Sequence, residues 1–181
     1  MTQLMSNKPR WLAAPEVNFT NHWRARWILE DAVPKDVPVS HVYAILVMDG
    51  KGYAVRARGG ETRWAIVEGE VPEGAKLEAW VKQLVKERTG GTLGKLVTAG
   101  YLVCKATQHN PEFEGGTLRL RPVCVAVIKT MKDLGPDAPW ERRRYPLNQY
   151  AQLLRDEYPI VAPYLREALD KYLVLQARGE A

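Results

Sequence analysis

The chain has 181 residues, of which 46% are apolar and 26% charged, and a net charge of +5. That length fits one domain with a sizeable core, and no apolar run reaches the ~18 residues that cross a bilayer. The basic residues are spread out except for Arg142, Arg143 and Arg144, which favours a small anionic ligand over a nucleic-acid groove.

The polar start, residues 1–10, lacks the apolar stretch of a secretory signal, so a cytoplasmic protein is expected. Residues 1–38 read as an extension that packs on the main domain, which spans 39–181. Pro9, Pro15, Pro34 and Pro38 break this lead-in, and Trp11, Trp23 and Trp27 lie between them. So much aromatic surface needs a cover. Packing across the domain is preferred to a ligand platform or a dimer interface, with a strand over 23–29.

An apolar run over 42–48, the turn Asp49-Gly50-Lys51-Gly52 and a second strand over 53–58 form a hairpin. After Gly59-Gly60 a short strand is expected over 63–67. From 76 to 88 the period changes: Leu77, Trp80, Val81, Leu84 and Val85 recur at steps of three and four, a helix ended by Gly90-Gly91. Strands follow over 96–106 and 117–130, joined by a polar loop over 108–116. A proline-rich connection with Pro136 and Pro139 leads to helices over 147–156 and 161–176. Local hairpins exclude an all-parallel sheet, so the fold class is α+β, a mixed α/β sandwich. Cys104 and Cys124 fall in apolar strand runs without a CxxC or histidine partner, and read as buried thiols rather than a disulfide or metal site.

Residues 64–91, WAIVEGEVPEGAKLEAWVKQLVKERTGG, resemble the box of the Nudix (MutT-like) superfamily, G-x5-E-x7-R-E-U-x-E-E-x-G-U, where U is aliphatic. Gly69, Glu87 and Gly90 match without a gap, and Trp64 matches a tryptophan that often precedes the box. The resemblance implies a Nudix-type α/β/α sandwich with a mixed sheet from about 39 to 172, plus an N-terminal extension and C-terminal helices. It also locates departures. Ala75 stands at the loop glutamate, Gln83 and Leu84 at the Arg-Glu pair, and Arg88 at the second of the paired glutamates.

In that family the helix glutamates hold Mg²⁺ or Mn²⁺ against a diphosphate. Such ions take several oxygen ligands. Glu87 with a backbone carbonyl near Gly69 falls short of that, and Arg88 opposes a cation by on the order of tenths to a few kcal/mol. Trp80 and Leu84 make the vacated face apolar. The expectation is a Nudix-fold protein without ordinary pyrophosphohydrolase activity, needing no cofactor and serving as a ligand-binding or protein-interaction domain. Arg56 and Arg58 alternate on one strand, and Arg119 and Arg121 on another; with Trp80, Leu84 and Arg88 they are the candidate ligand-binding residues.

Two alternatives stay open. A divergent hydrolase of a nucleoside-diphosphate-type substrate would use Glu87 as its catalytic residue, with Gly69, Glu70 and Glu112 as further metal ligands and Glu73 or Glu114 in reserve. A nucleic-acid binder would use Arg142–Arg144 and the tryptophans. His22, His41 and His109 lack a nucleophile elbow and read as structural or solvated. A nucleotide-like anion, a protein partner or a second copy of the chain is the expected partner, and no membrane is.

Overall fold

The computed structural model describes residues 10–17, 19–60 and 63–181, without the side chains of Arg10 and Trp11. The role expected of Trp11 therefore lies outside the described residues. A 3-10 turn at Arg10–Ala13 precedes β1 (Glu16–Val17), β2 (Trp23–Ile28), β3 (His41–Met48), β4 (Lys51–Ala57) and β5 (Val67–Glu70). Then come α1 (Leu77–Thr89), β6 (Gly91–Ala106), β7 (Leu118–Met131), β8 (Trp140–Pro146), α2 (Leu147–Glu157) and α3 (Ala162–Ala177).

The strands build one mixed sheet in the order β1-β2-β6-β7-β3-β4-β8, with β5 also paired to β3. Only β3 and β7 run parallel; every other pair is antiparallel. The period-two rule then sorts the central strand. Tyr43, Ile45 and Val47 of β3 face one layer, where Tyr150, Leu154, Leu165 and Tyr172 of α2 and α3 cover them. Val42, Ala44 and Leu46 face the other, against Val81, Leu84 and Val85 of α1. β3 is apolar on both faces because helices cover both. The expected α/β/α layering is what the chain adopts.

The outer edge of β3 forks. Its C-terminal end, Leu46–Met48, pairs with β4, while His41–Ala44 pairs with β5. Tyrosine hydroxyls of the covering helices serve the backbone around the fork. The Leu46 N–H donates to Tyr150 Oη at 3.0 Å, the Ile66 N–H to Tyr158 Oη at 3.1 Å, and the Gly50 N–H to Tyr172 Oη at 2.9 Å. Tyr150 is fully buried, and its ring needs a glycine beneath it. A Cβ on Gly52 would lie 2.0 Å from Tyr150 Cδ1.

Helix α1 ends on Gly90 in the left-handed region (φ 70°), as the glycine stop predicts. Arg142 of β8 donates to the carbonyls of Thr89 and Lys132, so one member of the basic cluster complements the helix's negative end. Arg143 and Arg144 stay exposed.

Three expectations change. The strand expected over 63–67 is shifted to Val67–Glu70, with only an isolated bridge between Ala65 and Val55 before it. β6 starts at Gly91 rather than 96, its glycine-rich first half carrying bulges at 92–95 and 98–100. The proline-rich connection contains β8, an edge strand whose charges hid its pairing with β4. The lead-in adds β1 and β2 to the sheet, and Val33, Val37 and Val39 lie on a small cluster of Ile28, Tyr101, Val103 and Leu120. Trp23 is 9% exposed, and Trp27 stacks 4.7 Å from Tyr164. Among the described residues no helix is long and apolar enough to cross a membrane.

Tyr150→Phe leaves the buried Leu46 N–H without an acceptor and costs about 1–3 kcal/mol of stability in urea unfolding. Tyr172→Phe costs less, because the Gly50 N–H it serves is only part-buried. Cys104 and Cys124 are free, buried and on opposite faces of the sheet. Burial pushes their thiols up to about 11 and about 12, against an opposing pull from Arg121 on Cys104 and Thr98 on Cys124. Thiolate is the reactive form, so neither cysteine reacts with a disulfide reagent at pH 8 until the chain is unfolded, when both do.

Candidate functional site

A cleft of about 780 Å³ opens at the end of the sheet where β3 and β7 begin and β5 finishes. Three segments wall it: the lead-in from Val33 to Val39, the loop from Glu70 to Leu77, and Trp23 with the β6–β7 loop residues Glu112 and Phe113. This size is ordinary for a small-molecule site.

Strand register decides which side chains share its floor. His41 lies opposite Glu70 and Tyr43 opposite Glu68 across β3–β5. On the other side Tyr43 pairs with Val123, so stepping back two residues on each parallel strand brings His41 and Arg121 onto one face. Arg121 Nη1 donates to Tyr43 Oη at 3.3 Å. The His41 ring is 4.9 Å from that of Tyr43, and its Nε2 is 3.6 Å from the Glu68 carboxylate. Burial pushes the Glu68 carboxyl up, but His41, Arg63 and Tyr158 outweigh it and hold the group below its ordinary range. Glu68 is therefore ionised at neutral pH. Burial raises the Tyr43 hydroxyl, with Arg121 opposing.

Aromatic rings and guanidinium groups interleave along the cleft wall. Arg121 sits 5.0 Å over Phe19 and 5.6 Å over Trp23. Trp23 lies 5.4 Å from Phe113, and Arg119 is 4.7 Å over Phe113. Ser40 Oγ and Arg121 Nε are buried and without a hydrogen-bond partner, His41 Nε2 is buried against the Glu68 carboxylate, and all three residues line the cleft. Such atoms cost stability unless something satisfies them.

The α1 positions that align with metal-binding glutamates carry other groups. Leu84 is 6% exposed and packs in the core with Val81 and Val85. Trp80 packs beside them with its Nε1 unpaired. Arg88 turns toward β5: its Nη1 is 3.5 Å from the Glu68 carbonyl, the outer limit of a hydrogen bond, and its guanidinium lies 4.7 Å over Trp140. Its Nε is buried without a partner. Glu87 is exposed. No three His, Cys, Asp or Glu side chains among the described residues are grouped to hold a metal ion. One exposed carboxylate beside a guanidinium does not fit a hard divalent cation.

Of the residues singled out in the sequence as ligands, the cleft brings together Glu70, Glu73, Glu112, Arg119 and Arg121. Glu87, Trp80, Leu84 and Arg88 lie on α1 away from its lining. Gly69 sits on β5 opposite Val42 with φ 147°, a backbone that favours glycine. Arg56 and Arg58 share Glu141 of β8, at 2.8 and 3.6 Å, and Arg56 also covers Trp64. Those two arginines already have an acid. Sequence reasoning missed Ser40 and Phe113 as cleft residues, preferred packing to a ligand platform for Trp23, and read His41 as structural or solvated. The alternation His41-Val42-Tyr43 put two polar rings on one face, but only the β3–β7 pairing puts Arg121 beside them.

The sequence matches no protein-family model and no curated protein. Similarity appears among solved structures. The Bacillus subtilis pyrophosphohydrolase BsRppH superposes with a TM-score of 0.58 at 17% identity, covering 87% of this chain and 97% of that one. A NUDIX hydrolase from Nitrosomonas europaea gives a TM-score of 0.49 at 17% identity, over 76% and 89% of the two chains. The NUDIX domain of Shewanella oneidensis NrtR, solved with ADP ribose, gives 0.48 at 14% identity, over 78% and 94%. The superposition on the Bacillus protein spans nearly all of that chain with the same layering, and this protein has the Nudix fold.

Proposed function

We propose that this Nudix-fold protein lacks ordinary pyrophosphohydrolase activity and binds a small anionic ligand in the cleft at the start of β3. One observation carries the reading: the Arg88 guanidinium occupies the space between α1 and the β5 carbonyl at Glu68, where a metal-dependent enzyme of this fold would hold its cation. Ala75 and Leu84 remove two further carboxylates, and Leu84 is core. Bringing a divalent cation beside a half-buried guanidinium is opposed by Coulomb repulsion that partial burial strengthens. The cleft keeps the opposite capacity. Lys35, Lys76, Arg119 and Arg121 line it. Exposed Leu29, Leu173 and Val174 support an additional contact with a protein partner or a second copy.

A second reading, a divergent hydrolase, is supported by Glu70, Glu73 and Glu112 sharing the cleft. Titration calorimetry with Mn²⁺, together with phosphate release from a nucleoside diphosphate panel, separates the two. Binding no tighter than about millimolar and no metal-dependent release are expected. Micromolar Mn²⁺ affinity, or release abolished by Glu87→Gln, would establish the hydrolase instead. In Arg88→Glu a carboxylate replaces the guanidinium next to Glu87, and Mn²⁺ affinity rises by about tenfold or more.

A further inference from the structure

Resting on the reading of exposed Leu29, Leu173 and Val174 as a contact surface, we propose that its occupant is a second copy of this chain. The two α3 helices lie antiparallel, related by a two-fold axis level with Ala168. At about 100° per residue, α3 divides into two faces. Tyr164, Leu165, Ala168, Leu169, Tyr172 and Leu175 are buried against the body of the protein. The opposite arc, roughly 120° wide, carries Pro163, Arg166, Asp170, Leu173, Val174 and Ala177, all exposed, with half-buried Ala162 at its edge. Apart from one charge of each sign, this outward strip is apolar, the pattern of a helix that meets a partner.

The order of residues along the strip selects the partner. Turned end for end about Ala168, the strip matches itself. Arg166 of one copy meets Asp170 of the other, Pro163 meets Leu173, and Ala162 meets Val174. Such reversed complementarity is what a two-fold contact requires, since residue i meets j and j meets i. Shape follows the same division. The N-terminal half of the strip borders a groove of about 390 Å³ between α2 and α3, lined by Ala151, Leu154, Pro159 and Pro163. The C-terminal half carries the projecting Leu173 and Val174, and Leu29, 63% exposed, stands beside Val174. In the antiparallel arrangement each copy's Leu173 enters the other's groove. Charge fixes the direction. Within one copy Arg166 Nε donates to Asp170 Oδ1 at 3.2 Å. The antiparallel register joins two such pairs with alternating sign, whereas parallel helices would set Arg166 against Arg166 and Asp170 against Asp170. Glu167 and Lys171, half-buried at the border of the strip, are of opposite sign and balance each other.

Sedimentation velocity on the intact protein, from about 1 to 500 μM, tests this. A reversible dimer with a dissociation constant of about 1–100 μM is expected, because a single helix pair lies at the low end of stable interfaces. Leu173→Glu, at an exposed position where circular dichroism should report an unchanged fold, weakens association by about tenfold or more. Arg166→Glu and Asp170→Arg, each alone, set like charges face to face and also weaken it about tenfold. An equimolar mixture of those two variants recovers association as a heterodimer, since opposite charges then meet at both crossings. A monomer up to about 500 μM, or a dimer that Leu173→Glu leaves unchanged, would overturn the second copy at this surface. Association lost in Leu173→Glu but not recovered in the mixture would end the antiparallel register while leaving the contact surface in place.

Discussion

Everything in this molecule depends on how β3 shares its outer edge. A single strand carries β7 on one side and two different partners on the other, β4 along its C-terminal end and β5 along its N-terminal half. Where those partners diverge, the backbone cannot satisfy itself, and a buried N–H without an acceptor is among the costlier defects a core can hold. Tyr150 and Tyr158 supply hydroxyl oxygens at Leu46 and Ile66. Because both come from α2 or the residue that ends it, the helix is fixed to the fork by hydrogen bonds as well as apolar contact. Gly52 is the other half of that fit, since any side chain there would enter the Tyr150 ring.

The fork also creates the cleft. β5 ends at Glu70, and the chain leaves the sheet through a loop containing Pro72 and Gly74 before α1 begins. That departure uncovers the first residues of β3 and β7, which carry His41 and Arg121 on the face that α2 and α3 cover farther along the sheet. The lead-in and the β6–β7 loop wall the space without filling it. Cleft and fork are thus two consequences of one strand pairing. The aromatic surface of the lead-in divides accordingly: Trp27 packs on α3, while Trp23 packs and also borders the cleft.

Electrostatically the two ends of the Glu68 residue do different work. Its carboxylate faces His41 and Arg63 in the layer of α2 and α3, and is held ionised by them. Its carbonyl faces α1, where Arg88 approaches. A fixed guanidinium differs from a bound metal ion in having no exchangeable ligand positions and no way to activate water. The Arg88 guanidinium is packed over Trp140.

Much of the architecture was legible in the residues. Alternation along 42–48, the three-and-four spacing of Leu77, Val81, Leu84 and Val85, and the glycines at 69 and 90 located the central strand, the helix and its end, since these signals arise from local backbone geometry. Glu70, Glu112, Arg119 and Arg121 were also identified as residues of interest, by type and by face. The rest was not legible, because it depends on pairings between distant segments. That Arg56 and Arg58 meet Glu141 required β8, whose run of charges masks an edge strand. That His41 joins Arg121 required the parallel β3–β7 register, 80 residues apart in sequence. The sequence by itself determined the layers and the ends of α1, because periodicity and glycine stops are local signals. Only the tertiary structure decided where the charges gather, because a cleft is formed by the absence of a strand as much as by the residues around it.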